Sequence, residues 1–337
     1  MRQRATRRGL RLTELGLGAA QFGNLYRESS DAELGAAFDA AWNAGIRYFD
    51  TAPHYGLGLS ERRLGALLRE RPRDEFVVSS KVGKLLIPSP ETAHLRDDQG
   101  FDVPRETVRR WDFTREGILR SIESTLQRTG LDRIDVFYLH DPDDHTEVAF
   151  GEGIDTLIDL REQGVVAAVG AGMNDSALLA DLVRRADVDL VMLAGRYTLL
   201  EQPALDDLMP LALERGVGIA IAGVYNSGLL ARPRPADDAT YNYQPAPAAL
   251  LERARGLADV CEAHGTDLPT AAIAYVLRHP AVTTVVVGAR TADQVTQNVD
   301  RYEAGLPGGS VPDALWRDLI AERLIPEFPA TPSESRP

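Results

Sequence analysis

The feature that most constrains the fold of this chain is an alternation, repeated eight times, of short apolar runs with longer segments of helical periodicity. Several short runs are apolar throughout, as in the segments 219–221 and 285–287. Strands that are buried on both faces of a parallel sheet have this composition. We therefore predict strands at 14–18, 46–50, 76–81, 134–139, 166–170, 188–193, 217–222 and 283–287.

The intervening segments carry helix start and stop signals. Ser30 precedes one helical pattern that Gly45 closes, and a second pattern begins near Thr114 and ends near Gly130. Eight strand–helix units in one chain favour an α/β fold, a single-domain (β/α)8 TIM barrel. A doubly wound sheet is less favoured, because no helix directly follows the early glycines at 16, 18 and 23.

Composition excludes several classes of function. The 337 residues are 44% hydrophobic, which is ample for one large core, and the net charge of −13 disfavours nucleic-acid binding. No apolar run approaches the roughly 20 residues needed to cross a bilayer, so no membrane association is predicted. The single cysteine, Cys261, is expected in the core, and a chain without an internal disulfide is predicted to be cytoplasmic.

The predicted boundaries are a flexible basic N-terminus at 1–11, the barrel at 12–325 and a flexible C-terminal tail at 326–337. Two connections, 82–112 and 227–247, are too long to be simple turns. Both follow a strand and therefore lie at the carboxyl-terminal face, where barrel enzymes bind their ligands. The sequence makes no prediction of the oligomeric state.

Four side chains at this face suggest proton chemistry. Asp50, Lys81 and His140 each end a predicted strand, and Tyr55 lies in the loop after Asp50. A buried lysine cation favours the phenolate form of a neighbouring tyrosine, and a carboxylate holds that lysine in place. The histidine can donate a hydrogen bond to a substrate oxygen, while the phenol exchanges a proton and a nicotinamide cofactor exchanges a hydride.

Lysine usage supports this interpretation. Of 37 basic residues, all except Lys81 and Lys84 are arginine. Arginine does not give up its proton, whereas the charge of a lysine is tuned by burial. Taken singly, Asp50 is also explained as a turn cap, Tyr55 as a half-buried loop aromatic and His140 as a turn residue. Together they are harder to explain by chance.

A metal site is the competing interpretation of the segment 140–145, which reads HDPDDH. It contains the right ligand atoms, but no partner elsewhere completes a metal-binding spacing. Solvated loop acids are the favoured interpretation, and no metal is predicted.

These residues lie in motifs that resemble the aldo-keto reductase superfamily over nearly the whole chain. The motifs are LGAAQFGN at 17–24, YFDTAPHYG at 48–56, SKVG at 80–83 and LH at 139–140. The resemblance implies that Asp50, Tyr55, Lys81 and His140 form a catalytic tetrad. It also implies that NAD or NADP is the cofactor.

A narrower resemblance rests on LQRTGLDRID at 126–135, AGRYTLLEQ at 194–202 and YNSGLLA at 225–231. These segments look like the aldose 1-dehydrogenase branch, which includes D-threo-aldose (L-fucose) dehydrogenases and pyridoxal 4-dehydrogenases. That branch implies oxidation of a cyclic hemiacetal of the L-fucose, D-arabinose or L-galactose type to a lactone, with Tyr55 as the acid/base. Pyridoxal oxidation and general aldehyde reduction are the alternatives, and a non-catalytic nicotinamide-binding sensor is a rival from another class.

The resemblance also implies ligand contacts. Many NADP-dependent members carry a lysine, a serine and an arginine where this chain has Gly288, Ala289 and Gln294. NAD is therefore favoured, with NADP possible through Arg290. Asn174 is the substitute for the family's nicotinamide-amide ligands, one of which is replaced by Ala194. The implied cofactor residues are Asp50, Asn174, Ser227, Gly228, Leu229, Gly288, Ala289, Arg290, Gln294 and Asn298. The implied contacts to a sugar or aldehyde substrate are Tyr26, Tyr55, Trp111, His140 and Tyr225.

Overall fold

A computed structural model describes residues 1–242 and 244–327. Its strands in chain order are β1 (Gln3–Ala5), β2 (Arg11–Thr13), β3 (Leu15–Gly18), β4 (Tyr48–Asp50), β5 (Val77–Val82), β6 (Lys84–Pro88), β7 (Thr107–Trp111), β8 (Val136–His140), β9 (Ala168–Met173), β10 (Leu190–Ala194), β11 (Gly218–Ala222), β12 (Thr240–Tyr241), β13 (Gln244–Pro245) and β14 (Val282–Gly288). Its helices are α1 (Asp31–Asn43), α2 (Leu59–Leu68), α3 (Arg115–Thr129), α4 (Thr146–Val148), α5 (Ile154–Glu162), α6 (Ser176–Arg185), α7 (Leu208–Arg215), α8 (Ala248–Ala263), α9 (Leu268–Leu277), α10 (Ala292–Ala304) and α11 (Asp313–Ala321).

Eight parallel strands form a closed barrel, in the order β3, β4, β5, β8, β9, β10, β11 and β14, and β14 pairs with β3 to close it. All eight predicted strands are present, with bounds that differ by only a few residues. The predicted (β/α)8 barrel is therefore confirmed. Both faces of its strands are buried, which explains their uninterrupted apolar runs.

The core has two layers. Inside the barrel, side chains such as Tyr48, Tyr138 and Met192 fill the lumen, and the two phenol oxygens lie 3.0 Å apart. Outside it, a larger cluster joins the strands to the helices and includes Cys261, which is buried as predicted. Among the described residues, no helix is long and apolar enough to span a membrane.

The helix boundaries follow local signals in the sequence. Ser30 caps α1 by accepting a hydrogen bond from the backbone N–H of Glu33 at 3.1 Å, and Thr114 caps α3 in the same way. Gly130 ends α3 with a φ of 64°, a left-handed conformation that glycine adopts without strain. The predicted start and stop signals are confirmed at these positions.

The N-terminal segment differs from its prediction. Residues 1–11 were expected to be flexible, but β1 and β2 form an antiparallel hairpin. The Arg4 guanidinium donates to Glu14 Oε1 at 2.7 Å and to the carbonyl oxygens of Leu277 and Val282. Buried Glu14 and these carbonyl groups attract an arginine that composition alone suggests is solvated. The tail predicted at 326–337 lies outside the described residues from residue 328 onwards.

The two long connections are structured. The segment 82–112 contains the antiparallel hairpin of β6 and β7, in which Lys84 pairs with Trp111. The segment 227–247 contains the short pair β12 and β13. Because these connections follow β5 and β11, they lie at the carboxyl-terminal face, as predicted.

Replacing Arg4 by alanine should lower the free energy of unfolding by about 2–3 kcal/mol, because the buried Glu14 loses a charge-assisted partner. Urea denaturation of both proteins measures this difference. Arg11→Ala is the matched control, since Arg11 is exposed and its side chain donates to Gln3 across the hairpin. If the two substitutions lowered the free energy of unfolding equally, the contacts of Arg4 with Glu14 and the two carbonyl oxygens would not be stabilising the fold.

Candidate active site

A buried ion pair lies at the carboxyl ends of neighbouring strands β4 and β5. Lys81 Nζ is 2.7 Å from Asp50 Oδ2 and donates to the carbonyl oxygen of Thr51 at 2.9 Å. Burial disfavours the cation, but Asp50 and Tyr55 together outweigh burial, so the pKa of Lys81 is raised above its ordinary value. Ser79 donates to the other carboxylate oxygen of Asp50 at 2.7 Å. The lysine is therefore a fixed positive charge.

Tyr55 lies over this charge, with Lys81 Nζ 4.7 Å from its ring centroid. Burial raises the pKa of Tyr55 to about 12, and the attraction of Lys81 for the phenolate offsets only part of that rise. The sequence predicted that the lysine would favour the phenolate, whereas burial is the larger effect. Near neutral pH the side chain is a phenol, ready to donate a proton.

The Tyr55 loop is positioned by two glycines in direct backbone contact. A Cβ on Gly23 would lie 2.5 Å from the carbonyl carbon of Tyr55. A Cβ on Gly56, where φ is 61°, would collide with the carbonyl oxygen of Gly23. The loop after β4 is therefore held against the loop after β3 with no room for a side chain at either position.

His140 completes the group at the end of β8. Its ring centroid lies 6.0 Å from that of Tyr55, and its Nε2 is 3.4 Å from Asp141 Oδ2. Burial, reinforced by the charges of Lys84 and Lys81, holds the pKa of His140 well below its ordinary value. A neutral imidazole keeps one N–H to donate and one nitrogen to accept. The structure thus brings together all four side chains of the predicted tetrad.

A second buried ion pair, which the sequence analysis did not single out, supports the Tyr55 loop. Arg109 on β7 is 2.5 Å from Asp97, and both side chains are nearly inaccessible. Arg109 also donates to the carbonyl oxygen of His54 at 2.9 Å. No sequence signal marks this contact, because it depends on how the hairpin folds back over the barrel.

The residues predicted to bind the cofactor gather mainly after the neighbouring strands β11 and β14. Ser227 and Gly228 form an exposed turn with φ values of 58° and 97°, and Leu229 follows with its side chain buried. Gly288 ends β14, and the amino-terminal end of α10 follows after Thr291. A helix N-terminus attracts phosphate oxygens. Asn174 is exposed just after β9.

Gln21 is a further polar side chain, and it lies beside Gly288 at the end of β14. Its Oε1 is buried and has no hydrogen-bond partner within residues 1–242 and 244–327. A Cβ on Gly288 would lie 2.5 Å from that oxygen, so only glycine leaves the space beside it open. Gln21 therefore offers an unused hydrogen-bond acceptor beside Gly288, one of the residues predicted to bind the cofactor.

The guanidinium of Arg290 forms hydrogen bonds with other residues of the protein. Its guanidinium donates to the carbonyl oxygens of Leu25 at 2.5 Å and Arg27 at 3.1 Å, and to the hydroxyl of Ser29. The sequence left open a contact between Arg290 and a 2′-phosphate, and the structure places this guanidinium against the 25–29 loop instead. Gln294 is likewise occupied, because its Oε1 accepts from the backbone N–H of Arg290 at 2.8 Å.

The aromatic residues predicted to contact substrate divide into two groups. Tyr26 and Trp111 are 65% and 44% exposed, as expected of rim residues. Tyr225 differs, since its hydroxyl donates to Asn298 on α10 at 2.9 Å. It therefore lies with the predicted cofactor residues. In the part of the chain that the structure describes, no group of three or more His, Cys, Asp or Glu is placed to hold a metal ion.

Comparison with known proteins agrees with this geometry. A sequence model of the aldo/keto reductase family matches residues 14–311. The chain belongs to the aldo/keto reductase family. It is 49% identical to a D-threo-aldose 1-dehydrogenase of Pseudomonas sp over 94% of this chain and 96% of the relative. It is 38% identical to a pyridoxal 4-dehydrogenase of Microbacterium luteolum over 95% and 96% of the two chains.

A solved structure agrees as well. An aldo-keto reductase from Bacillus halodurans, in its holo form, superimposes with a TM-score of 0.74 at 27% identity and covers 96% of each chain. The predicted resemblance to this family is confirmed, and the chain is an oxidoreductase.

The histidine next to Tyr55 gives a test of burial in this region. Burial lowers the pKa of His54 to about 2, helped by the charges of Lys84, Arg109 and Lys81. Below the unfolded value of about 6.5, the unfolded chain binds a proton that the folded chain does not. Stability should therefore fall as the pH is lowered from about 6.5, by up to about 1.4 kcal/mol per pH unit for this residue.

Urea denaturation across this pH range should show a shallower dependence for His54→Gln than for the parent protein. His94→Gln makes the same substitution at an exposed position and is the matched control. An unchanged slope in His54→Gln would contradict the burial of a neutral imidazole.

Proposed function

We propose that this protein oxidises the anomeric carbon of an aldose hemiacetal to a lactone, with NAD as the preferred cofactor and Tyr55 as the acid/base. The proposed substrates are sugars of the L-fucose, D-arabinose and L-galactose type. The observation that carries this proposal is the Asp50–Lys81–Tyr55 arrangement in a chain that is 49% identical to a D-threo-aldose 1-dehydrogenase.

The chemistry divides among the four residues. The cofactor, when bound, accepts the hydride from the anomeric carbon. Tyr55 takes the proton of the anomeric hydroxyl, so that the C–H and O–H bonds are lost and the lactone carbonyl forms. The neutral imidazole of His140 holds that oxygen through its N–H. Lys81 stabilises the phenolate that accepts the proton, and Asp50 fixes Lys81 in place.

The pKa of Tyr55 predicts how the rates of oxidation and reduction depend on pH. With a value of about 12, the phenol is protonated near neutral pH, so oxidation must begin from a minor ionised form. Alkaline pH and the positive charge of an oxidised nicotinamide both favour that form. Reduction of a carbonyl, by contrast, begins from the protonated phenol.

The preference for NAD is argued from the end of β14. A 2′-phosphate needs a cation beside the adenosine ribose. Gly288, Ala289 and Gln294 supply no charge, and the guanidinium of Arg290 is bound to the 25–29 loop. To contact a 2′-phosphate, Arg290 would have to leave three hydrogen-bond partners.

Pyridoxal oxidation is the second candidate, on the basis of the relative that is 38% identical. The specific observation in its favour is aromatic. The rim residues Tyr26 and Trp111 are 65% and 44% exposed, so a pyridine ring has aromatic surface to stack on. General aldehyde reduction and a sensor role are less favoured.

The single cysteine supports a proposed cytoplasmic location.

The first experiment is a panel of initial rates at alkaline pH with NAD+ and with NADP+. The substrates are L-fucose, D-arabinose, L-galactose, D-glucose and pyridoxal. We expect oxidation of the first three, with NAD+ preferred by roughly tenfold or more, the value of one lost charge-assisted contact. Activity on pyridoxal alone would replace the aldose proposal by the second candidate. Equal use of NADP+ would contradict the argument from Arg290.

Tyr55→Phe should lower the turnover number by roughly 100-fold or more, since the ring is retained and only the acid/base group is lost. Tyr302→Phe is the matched control. Its hydroxyl bonds to Glu14 at the opposite end of the barrel, so the rate of sugar oxidation should not change. A parent-like turnover number in Tyr55→Phe would exclude Tyr55 as the acid/base.

A further inference from the structure

The second of the two lysines also pairs with a carboxylate at the barrel mouth. Lys84 Nζ is 2.7 Å from Asp141 Oδ2. The lysine side chain is only 6% exposed, whereas that of Asp141 is 47% exposed. The cation is thus buried beneath a carboxylate that faces outward. No residue of this pair was assigned a role by the tetrad or by the predicted cofactor contacts.

The backbone holds Asp141 in an unusual conformation. Asp141 directly follows His140, and its φ of 41° is in the left-handed region, which is costly for a residue with a side chain. Its backbone N–H donates to the carbonyl oxygen of Gly172 at 3.0 Å. As a result, the Asp141 carboxylate lies 3.4 Å from Nε2 of His140. Any oxygen held by that nitrogen therefore has Asp141 as a neighbour.

Unused bonding capacity distinguishes this pair from a purely structural ion pair. An ionised carboxylate accepts about four hydrogen bonds, and Lys84 occupies one oxygen of Asp141. Trp111 lies opposite Lys84 in the register of β6 and β7, with its ring centroid 5.8 Å from Lys84 Nζ, and is 44% exposed. An acceptor, a buried cation and an open aromatic face therefore meet beside His140. Polyhydroxylated rings are recognised by this combination of polar groups and aromatic surface.

We propose that Asp141, supported by Lys84, accepts a hydrogen bond from the sugar hydroxyl on the carbon next to the anomeric carbon. The inference rests on the proposed function and names the group that the same site recognises. Around the anomeric carbon, one neighbour is the ring oxygen, which has no proton to donate, and the other is the carbon that bears this hydroxyl. A carboxylate accepts hydrogen bonds but does not donate them, so Asp141 binds the hydroxyl and not the ring oxygen. Trp111 covers one face of the sugar ring.

The test compares D-arabinose with 2-deoxy-D-ribose, which is the same pentose without this hydroxyl. In Asp141→Asn, kcat/KM for D-arabinose should fall roughly 10- to 100-fold, as expected for loss of a hydrogen bond to a charged group. The value for 2-deoxy-D-ribose should change little, and this retained activity also shows that the variant is folded. Glu147→Gln removes an exposed charge from the same connection and is the matched control.

Lys84→Gln gives an independent measurement, because it removes the cation that holds the carboxylate in place. It should also reduce the preference for D-arabinose over 2-deoxy-D-ribose. Equal losses for the two sugars in both variants would overturn the hydroxyl contact and leave Asp141 as a positioning residue for His140. Failure of the parent protein to oxidise either sugar would instead overturn the proposed function, so the two failures are distinguishable.

Discussion

The buried contact between Lys81 and Asp50 is the interaction on which the rest of the site depends. Removing two charges from water is costly, and the cost is offset only when the geometry is fixed. The barrel supplies that geometry, because β4 and β5 pair in one register, with Asp50 opposite Ser79. A shift of one residue would turn Lys81 to the other face of its strand. The position of Tyr55 over this charge is therefore a property of the closed barrel as much as of the individual side chains.

Local signals account for what the sequence predicted correctly. Continuous apolar runs located the eight strands, Ser30 and Gly130 located helix ends, and the segment 48–56 placed Asp50 and Tyr55 at the carboxyl-terminal face. Each of these signals lies within a few residues of the feature it predicts. The placement of Lys81 and His140 followed from one rule, that the carboxyl ends of barrel strands meet at a single face.

The contacts that the sequence did not predict join residues far apart along the chain. Arg4 binds carbonyl groups more than 270 residues away along the chain, and Arg290 folds back onto the 25–29 loop. Such partners are set by the tertiary structure, and an arginine in the sequence does not reveal which carbonyl groups it will meet. The effect of Lys81 on the pKa of Tyr55 was predicted in the correct direction, but the larger effect of burial was not, since the extent of burial is a property of the whole fold. The sequence contained one clue that Lys84 has a special position. Like Lys81, it is a lysine in a chain whose other basic residues are all arginine.

The close approach of Gly23 and Gly56 has a consequence for altering this protein by design. Because the contact joins two backbones, the loops after β3 and β4 behave as one unit, and neither can be redesigned without the other. The hairpin of β6 and β7 meets the Tyr55 loop through the side chain of Arg109. Exposed positions of this hairpin, such as Trp111, lie outside the contact between the two glycines, so they can be varied without changing that contact. A library aimed at new substrates should be built there, with both glycines held constant.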